Sequence, residues 1–177
     1  MKARVVKRVL TGEGEPPWPS PASVEPAEQL RIAVQRFVRS FGLLASDQTP
    51  CGTAISTSYA HALVVLLERG RRRERSTQQE LGEALGIDKS NVARLCAKMQ
   101  RAGHVTQQRS AADGRARLLA LTASGRRLAE RVEVASRDRF TQLLAALPSD
   151  DTRATVFASL EALNGAITMT RSSERPR

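Results

Sequence analysis

The sequence predicts a mainly α-helical fold with a small two-stranded β-wing. Over most of the chain, apolar residues recur at steps of three and four, which is the spacing of amphipathic helices. One segment, residues 104–121, instead has a polar turn at 110–114 followed by the run RARLLAL. This pattern favours a β-hairpin whose second strand is better specified than its first. The 177 residues are 41% hydrophobic but only 3% aromatic, so aliphatic side chains must build the core.

The sequence contains no apolar run that approaches the length of a membrane span. The basic N-terminus has no long apolar stretch and no small-residue cleavage site, so we expect no secretory signal. The two cysteines, Cys51 and Cys96, are too few for a disulfide framework and suit a reducing compartment. Together these features predict a cytoplasmic protein.

Residues 1–24 are rich in glycine and proline and predict an extended or disordered arm. Two interpretations of this arm stay open. Its basic residues could contact nucleic-acid phosphates, or its apolar residues could pack on a partner. The basic residues are Arg4, Lys7 and Arg8, and the apolar ones are Val5, Val6, Val9 and Leu10.

Residues 25–70 predict two amphipathic helices. Pro26 suits the first turn of one helix and Gly42 lies near its end. The other helix covers about 57–69, with Gly70 suited to its C-terminus. The apolar stripes are Leu30, Val34, Phe37, Val38 and Phe41 in the first helix, and Tyr59, Leu63, Leu66 and Leu67 in the second.

Residues 71–121 predict two shorter helices and then the hairpin. The run Ser76-Thr77-Gln78-Gln79 is typical of a capping box, and Gly86 makes a tight turn after the first helix. Asp88 caps the next helix. The buried positions we expect are Leu81, Ala84 and Leu85 in the first helix, and Val92, Leu95, Met99 and Ala102 in the second.

Residues 122–170 predict two further helices, and residues 171–177 a frayed tail. Thr122 caps a long helix that runs to about Leu147, where Pro148 stops it. Asp150 and Asp151 then begin the last helix, because acidic side chains complement the positive end of the helix dipole.

Positive charge is concentrated in the middle of the chain. Residues 69–127 hold 14 of the 28 Lys and Arg residues but only 5 of the 18 Asp and Glu residues, in a chain with a net charge of +10. A nearly neutral body with one basic segment suggests a surface that binds a polyanion. A basic face that only aids solubility would give the same count.

Two short helices joined by a glycine-containing turn can form a helix-turn-helix, whose second helix reads the DNA major groove. Here the second helix carries polar and basic residues opposite its apolar stripe. Asn can read adenine and Arg can read guanine, while Ser and Lys serve bases or phosphates. The alternative is an ordinary solvent-facing amphipathic helix, which the adjacent hairpin disfavours. The major-groove candidates are Lys89, Ser90, Asn91, Arg94 and Lys98, and the first helix begins at Ser76, Thr77 and Gln78.

The predicted hairpin tip carries arginines on a compact platform. Arg109, Arg115 and Arg117 could enter a narrow, electronegative minor groove. Asp113 would then hold Arg115 or cap backbone amides of the turn. The alternative is a simple surface turn, in which Asp and Gly are present for their local geometry.

Four motifs occur in order within residues 76–127: a first helix with its turn, the opening and end of a second helix, an Asp-x-Arg in the hairpin turn, and a Leu-Thr-x-x-Gly after the hairpin. They are Leu81, Ala84 and Leu85-Gly86-Ile87, then Asp88-Lys89-Ser90-Asn91-Val92 with Met99 and Gly103, then Asp113-Gly114-Arg115, then Leu121-Thr122 with Gly125. In this combination the segment resembles the MarR family of winged helix-turn-helix regulators. Two residues depart from the pattern. Gln107 stands where the family often has arginine, and His104 replaces a usual aliphatic residue.

The resemblance implies a homodimer in which the N- and C-terminal helices interleave into a dimerisation layer above two winged lobes. It implies a pseudo-palindromic operator on double-stranded DNA, and repression relieved by a small molecule or other signal bound between that layer and the lobes. It also implies that Arg115 enters the minor groove with Asp113 as its support, while Ser90, Asn91 and Arg94 enter the major groove. We expect half-sites about one helical turn apart, roughly 10 base pairs.

Cys51 and His61 are candidate sensor residues, because both lie near the start of the second predicted helix. A redox- or metal-responsive regulator that uses Cys51 is therefore the alternative function. The two cysteines and two histidines show no metal-ligand spacing, so we expect no metal site and no cofactor. The chain has no glycine-rich phosphate loop, GxSxG or HExxH motif, so we expect no enzyme.

Overall fold

The computed structural model describes residues 25–109 and 117–173. The predicted arm at 1–24, the wing tip at 110–116 with Asp113 and Arg115, and residues 174–177 of the predicted tail lie outside the described residues. The chain divides into two compact units, Met1–Leu44 and Ala45–Arg177.

The described part of the first unit is one helix, α1, Pro26–Phe41. Pro26 occupies its first turn, and Gly42 ends it in the left-handed conformation with φ 83°, as predicted. The predicted apolar stripe is largely open to solvent, because Leu30 is 51% and Phe37 is 53% exposed. A helix of this kind needs a partner for its apolar side.

The second unit contains five helices and three strands in its described residues. In chain order they are α2 (Thr57–Arg71), β1 (Ser76–Thr77), α3 (Gln78–Leu85), α4 (Lys89–Arg101), β2 (Val105–Arg109), β3 (Arg117–Leu121), α5 (Ala123–Ala145) and α6 (Asp150–Ser173). The mainly α-helical fold with a winged helix-turn-helix is confirmed.

The sheet has three antiparallel strands in the order β1-β3-β2, where the sequence predicted two. In the additional strand, Ser76 pairs with Leu119 and Thr77 with Leu118. A strand of two residues cannot show an alternating pattern, so sequence periodicity could not reveal it. Ser76 is consequently buried in the sheet, and the N-cap of α3 is Thr77.

The core forms where α2 packs against the helix-turn-helix, the sheet and the start of α5. All four predicted core residues of α2 are buried: Tyr59, Leu63, Leu66 and Leu67. Leu81, Val92, Leu95 and Met99 are also buried as predicted.

Two predicted core alanines, Ala84 and Ala102, are exposed instead. In α3 the close contact is made by Gly82, where an added Cβ would lie 3.2 Å from Val92 Cγ1. This close approach turns Ala84 outward. In α4 the helix ends before Ala102, and Cys96 takes a core position.

The end of α2 also differs from the prediction at Gly70. The helix continues to Arg71, and Arg73 adopts the left-handed conformation, with φ 59°. Two backbone hydrogen bonds close this turn at the end of the helix. Arg73 N donates to Gly70 O at 3.1 Å, and Glu74 N donates to Arg69 O at 2.9 Å. The chain turns toward β1 at this point, and the left-handed position is occupied by Arg73 and not by Gly70.

The junction between the wing and α5 is fixed by Thr122, the predicted cap. Its hydroxyl donates to Gly103 O at 2.7 Å and accepts from Gly125 N at 3.1 Å. Gly125 lies so close to the wing that a Cβ there would be 1.9 Å from His104 O. The spacing of Leu-Thr-x-x-Gly is therefore required by this contact, since only glycine fits.

An exposed ion pair also joins α2 to α5. Arg71 donates through both terminal nitrogens to the Glu133 carboxylate, at 2.7 and 2.8 Å.

Within the residues that the structure describes, no helix is long and apolar enough to cross a membrane.

Candidate DNA-binding surface

A tight turn sets the angle between α3 and α4, the two helices of the helix-turn-helix. Gly86 takes the left-handed conformation, with φ 64°, and Ile87 N donates to Gly82 O at 3.0 Å. An L side chain at Gly86 would be strained in this conformation. The predicted turn at Gly86 is confirmed, and it leaves the N-terminus of α4 exposed.

Asp88 caps α4 and gathers the first polar residues of the helix around its carboxylate. Oδ1 accepts from Ser90 N at 2.8 Å, from Ser90 Oγ at 2.7 Å and from Asn91 N at 2.8 Å. Oδ2 accepts from Asn91 Nδ2. Hydrogen bonds from the Ser90 side chain and the Asn91 backbone, with further ones from the same residues, lower the pKa of Asp88 to about 2. The cap is ionised at neutral pH.

Asn91 links this cap to Arg94. The Arg94 Nη2 atom donates to Asn91 Oδ1 at 2.9 Å. Ser90, Asn91 and Arg94 are all exposed, opposite the buried Val92, Leu95 and Met99. The structure therefore brings together the three major-groove candidates that sequence analysis had proposed as separate contacts.

Lys89 and Lys98 complete the candidate set on α4, and both are exposed. The Lys98 ammonium lies 5.8 Å from the centre of the Tyr59 ring. This distance allows a cation–π contact, so Lys98 is held against α2.

The N-terminus of α3 is a complete capping box. Thr77 Oγ1 accepts from Glu80 N at 3.1 Å, and Glu80 Oε2 accepts from Thr77 N at 2.8 Å. Arg69 also donates to Glu80 Oε2 at 3.1 Å, which ties the end of α2 to this helix. The Thr77 backbone hydrogen bond is the main reason that the pKa of Glu80 is lowered. Thr77 and Gln78 are partly exposed, whereas Ser76 is buried.

The two described wing strands pair from Val105 with Leu121 to Arg109 with Arg117. Arg117 Nη1 donates to Gln107 Oε1 at 3.3 Å across the hairpin. Gln107, one of the two residues that depart from the family pattern, therefore acts here as an acceptor for a wing arginine. No sequence motif indicated this pair.

His104, the other departure, makes a contact that sequence reasoning missed. Its Nδ1 atom lies 2.7 Å from the Tyr59 hydroxyl, and the two rings meet edge to face with centroids 5.9 Å apart. Burial raises the pKa of Tyr59 further above its ordinary value, and the neutral phenol keeps a hydroxyl that can donate to a ring nitrogen. The sequence did contain a signal for this contact, because Tyr59 and His104 are polar aromatic residues at positions where apolar core residues are expected.

The two candidate sensor residues lie in different environments. Cys51 Sγ lies 3.0 Å from Thr49 Oγ1, while His61 is exposed. No hydrogen bond joins Cys51 to His61, and among the described residues no three His, Cys, Asp or Glu side chains are grouped to hold a metal ion. Cys96 is buried, and burial raises the pKa of its thiol to about 11.

One sequence-family model matches the middle of the chain. Residues 55–116 match the sequence model of the MarR family, which confirms the resemblance over the helix-turn-helix. No curated protein is similar enough to the chain to count as a relative.

Solved structures of transcriptional regulators share the fold along nearly their whole length. The chain is 25% identical to a probable transcriptional regulator from Pseudomonas aeruginosa, with a TM-score of 0.59, and the match covers 78% of this chain and 96% of that one. It is also 25% identical to the PcaV transcriptional regulator from Streptomyces coelicolor in complex with its natural ligand, with a TM-score of 0.59 and coverage of 85% and 99%. MepR from S. aureus, solved as a complex with DNA, is 18% identical, with a TM-score of 0.61 and coverage of 81% and 99%.

Proposed function

We propose that this chain, whose residues 55–116 belong to the MarR family, is a sequence-specific DNA-binding transcriptional regulator. The family and the fold are those of transcriptional regulators. The observation that carries the proposal is the exposed polar face of α4, where Ser90, Asn91 and Arg94 stand opposite a fully packed apolar face. Because its proposed partner is DNA, we expect the protein to act in the cytoplasm.

The proposed contacts divide between the two grooves. Ser90, Asn91 and Arg94 would enter the major groove, with Lys89 and Lys98 beside them. Arg109, Arg115 and Arg117 would follow the minor groove and its phosphates, with Asp113 supporting Arg115. Support for the wing comes from the family resemblance and from the orientation of Arg117 by Gln107. MepR, which shares the fold, has been solved with DNA.

We propose that the protein acts as a homodimer on a pseudo-palindromic operator with half-sites about 10 base pairs apart. Large apolar side chains on α1, on the second half of α5 and on α6 are about half exposed in a single chain. They include Leu30, Val34, Phe37, Phe140, Phe157, Leu160 and Ile167. A second copy would cover these surfaces.

We further propose repression that is relieved by a small-molecule signal. PcaV, a regulator of the same fold, has been solved with its natural ligand. The alternative signal is oxidation of Cys51, which is half-buried beside the hydroxyls of Thr49 and Thr53. Loss of DNA binding after mild peroxide treatment, absent in Cys51→Ser, would favour the alternative.

The test is binding to labelled duplex from upstream of the protein's own gene, measured by fluorescence anisotropy across a series of salt concentrations. Affinity should fall steeply with salt, since phosphate contacts release counterions. Arg94→Ala and Arg115→Ala should each weaken binding by at least about fivefold. Arg39→Ala removes the same charge from an exposed position on α1 and should leave binding unchanged. Absence of binding at low salt would refute the proposal.

A further inference from the structure

The side-chain amide of Asn91, on the exposed face of α4, is hydrogen-bonded within the protein at both its nitrogen and its oxygen. An asparagine reads adenine by using its amide nitrogen and its oxygen at the same time. Here the nitrogen already donates to Asp88 Oδ2 and the oxygen already accepts from Arg94 Nη2 at 2.9 Å. Each end of the amide therefore has a partner within the protein before DNA arrives, which fixes its orientation and leaves one N–H and one oxygen lone pair.

The orientation of this amide follows from the chemistry of its neighbours. An ionised carboxylate only accepts hydrogen bonds and a guanidinium only donates them. Asn91 must therefore turn its nitrogen to Asp88 and its oxygen to Arg94. Asp88 is itself fixed by three further hydrogen bonds from Ser90 and the Asn91 backbone.

Arg94 keeps the donors that base recognition requires. Of its five N–H groups, one is used by Asn91, so a bidentate pair remains for the O6 and N7 atoms of a guanine. A side chain held in its bound direction loses less conformational freedom on binding.

We propose that Asp88, Asn91 and Arg94 form a relay in which Arg94 reads a guanine in each half-site and Asn91 is a positioning residue, held by Asp88, rather than a reader of adenine. This inference rests on the proposed DNA-binding function. It predicts that a G·C pair lies beneath α4, and that the identity of residue 88, which need not touch the base, controls how strongly that pair is preferred.

Asp88→Asn is the most informative variant. Asparagine is also a favoured N-cap, so α4 keeps its start. If the new side-chain oxygen caps the backbone, its amide nitrogen faces Asn91, and two donors then meet. Asn91 would have to flip and present its nitrogen to Arg94, which breaks the relay. Asp88→Ser is a second variant, because it keeps one capping oxygen but removes the contact with the Asn91 side chain.

The experiment uses selection of the full-length protein on a duplex library with randomised half-sites, followed by sequencing. The wild type should prefer guanine at one position of each half-site by roughly 5- to 150-fold, and Arg94→Ala should lose that preference. Asn91→Ala, Asp88→Asn and Asp88→Ser should each reduce it at least threefold while keeping low-salt affinity. Gln100→Ala, which removes an exposed amide in the last turn of α4, should change nothing. Circular dichroism would show that each variant folds.

The double variant separates positioning from direct reading. If Asn91 acts only through Arg94, adding Asn91→Ala to Arg94→Ala should leave the base preferences unchanged. A lost adenine preference in Asn91→Ala, with the guanine preference intact, would overturn the relay. So would a wild-type preference without guanine, or Asp88 variants that match the wild type. A wild type that binds no duplex, or binds all duplexes equally, would instead refute the proposed function.

Discussion

The Tyr59 hydroxyl and His104 Nδ1 lie 2.7 Å apart, which joins α2 to the residue that precedes the first wing strand. His104 also donates its backbone N–H to Met99 O and accepts from Thr122 N, both at 3.0 Å. One residue thus connects the recognition helix, the wing and α5, while its side chain reaches back to the core through Tyr59.

Removing both partners of this pair should destabilise the protein by less than the two separate removals added together. Tyr59→Phe should lower the free energy of unfolding by about 1 kcal/mol, because His104 is left without its partner. The combined change Tyr59→Phe with His104→Leu should cost less than the sum of the two single changes. Chemical denaturation at one fixed protein concentration would measure this coupling. Strict additivity would show that the hydrogen bond contributes nothing.

A matched pair of glycine substitutions tests the wing junction. Gly125→Ala would drive a methyl group to 1.9 Å from His104 O, a backbone atom that cannot easily move. We expect a loss of about 3 kcal/mol or more, at the upper end of overpacking costs.

Gly70→Ala in the last turn of α2 is the control. A Cβ there meets nothing within 4 Å, so alanine should stabilise the helix by roughly 0.5–1 kcal/mol. Thermal unfolding of both variants gives the comparison. Equal effects at the two positions would contradict the described junction.

Local signals account for the parts of the fold that sequence could predict. Asp88 and Thr122 cap their helices as predicted, because a cap depends only on residues within the next turn. The strand at Ser76 was missed because its partner Leu119 lies far along the chain. Ala102 was misassigned because helical spacing alone does not show where α4 ends.

In the candidate site, too, the sequence predicts what depends on neighbouring residues but not what depends on the fold. Helical spacing brought Ser90, Asn91 and Arg94 to one face, as predicted. Their hydrogen-bond network depends on side-chain rotamers, which periodicity does not determine. The contact between Tyr59 and His104 spans 45 positions, and only the fold brings these residues together.

The cap at Asp88 should make stability depend on pH in the acidic range. Its folded pKa of about 2 lies below the ordinary value of 3.8, so the ionised form is favoured by folding. The stabilisation is present above pH 4 and is lost as pH falls through about 2. Other carboxylates titrate in the same range, so the measurement is the difference between wild type and Asp88→Ser, whose cap does not titrate. A difference independent of pH would contradict the assigned pKa.

The two cysteines should react at very different rates. Cys96 is 1% exposed and the pKa of its thiol is raised to about 11, so at pH 8 it is a buried, protonated thiol. A chromogenic disulfide reagent should label one thiol in the native protein and two after denaturation. Cys51→Ser should abolish the native reaction, and Cys96→Ser should leave it intact. The reverse pattern would show that Cys96 becomes accessible in solution.

The left-handed residue after α2 offers a stabilising substitution. Arg73 has φ 59°, a conformation that costs an L side chain roughly 1–2 kcal/mol and glycine almost nothing. Glycine also raises the conformational entropy of the unfolded chain, and this offsets part of the stabilisation of the folded state. Arg73→Gly should therefore raise the free energy of unfolding by up to about 1 kcal/mol. Arg72→Gly is the matched control, since Arg72 has φ −82° and the same charge, and it should lower stability by roughly 0.5–1 kcal/mol. Denaturant unfolding of the two variants distinguishes these signs, and a loss of stability in both would show that Arg73 does not hold the left-handed conformation in solution.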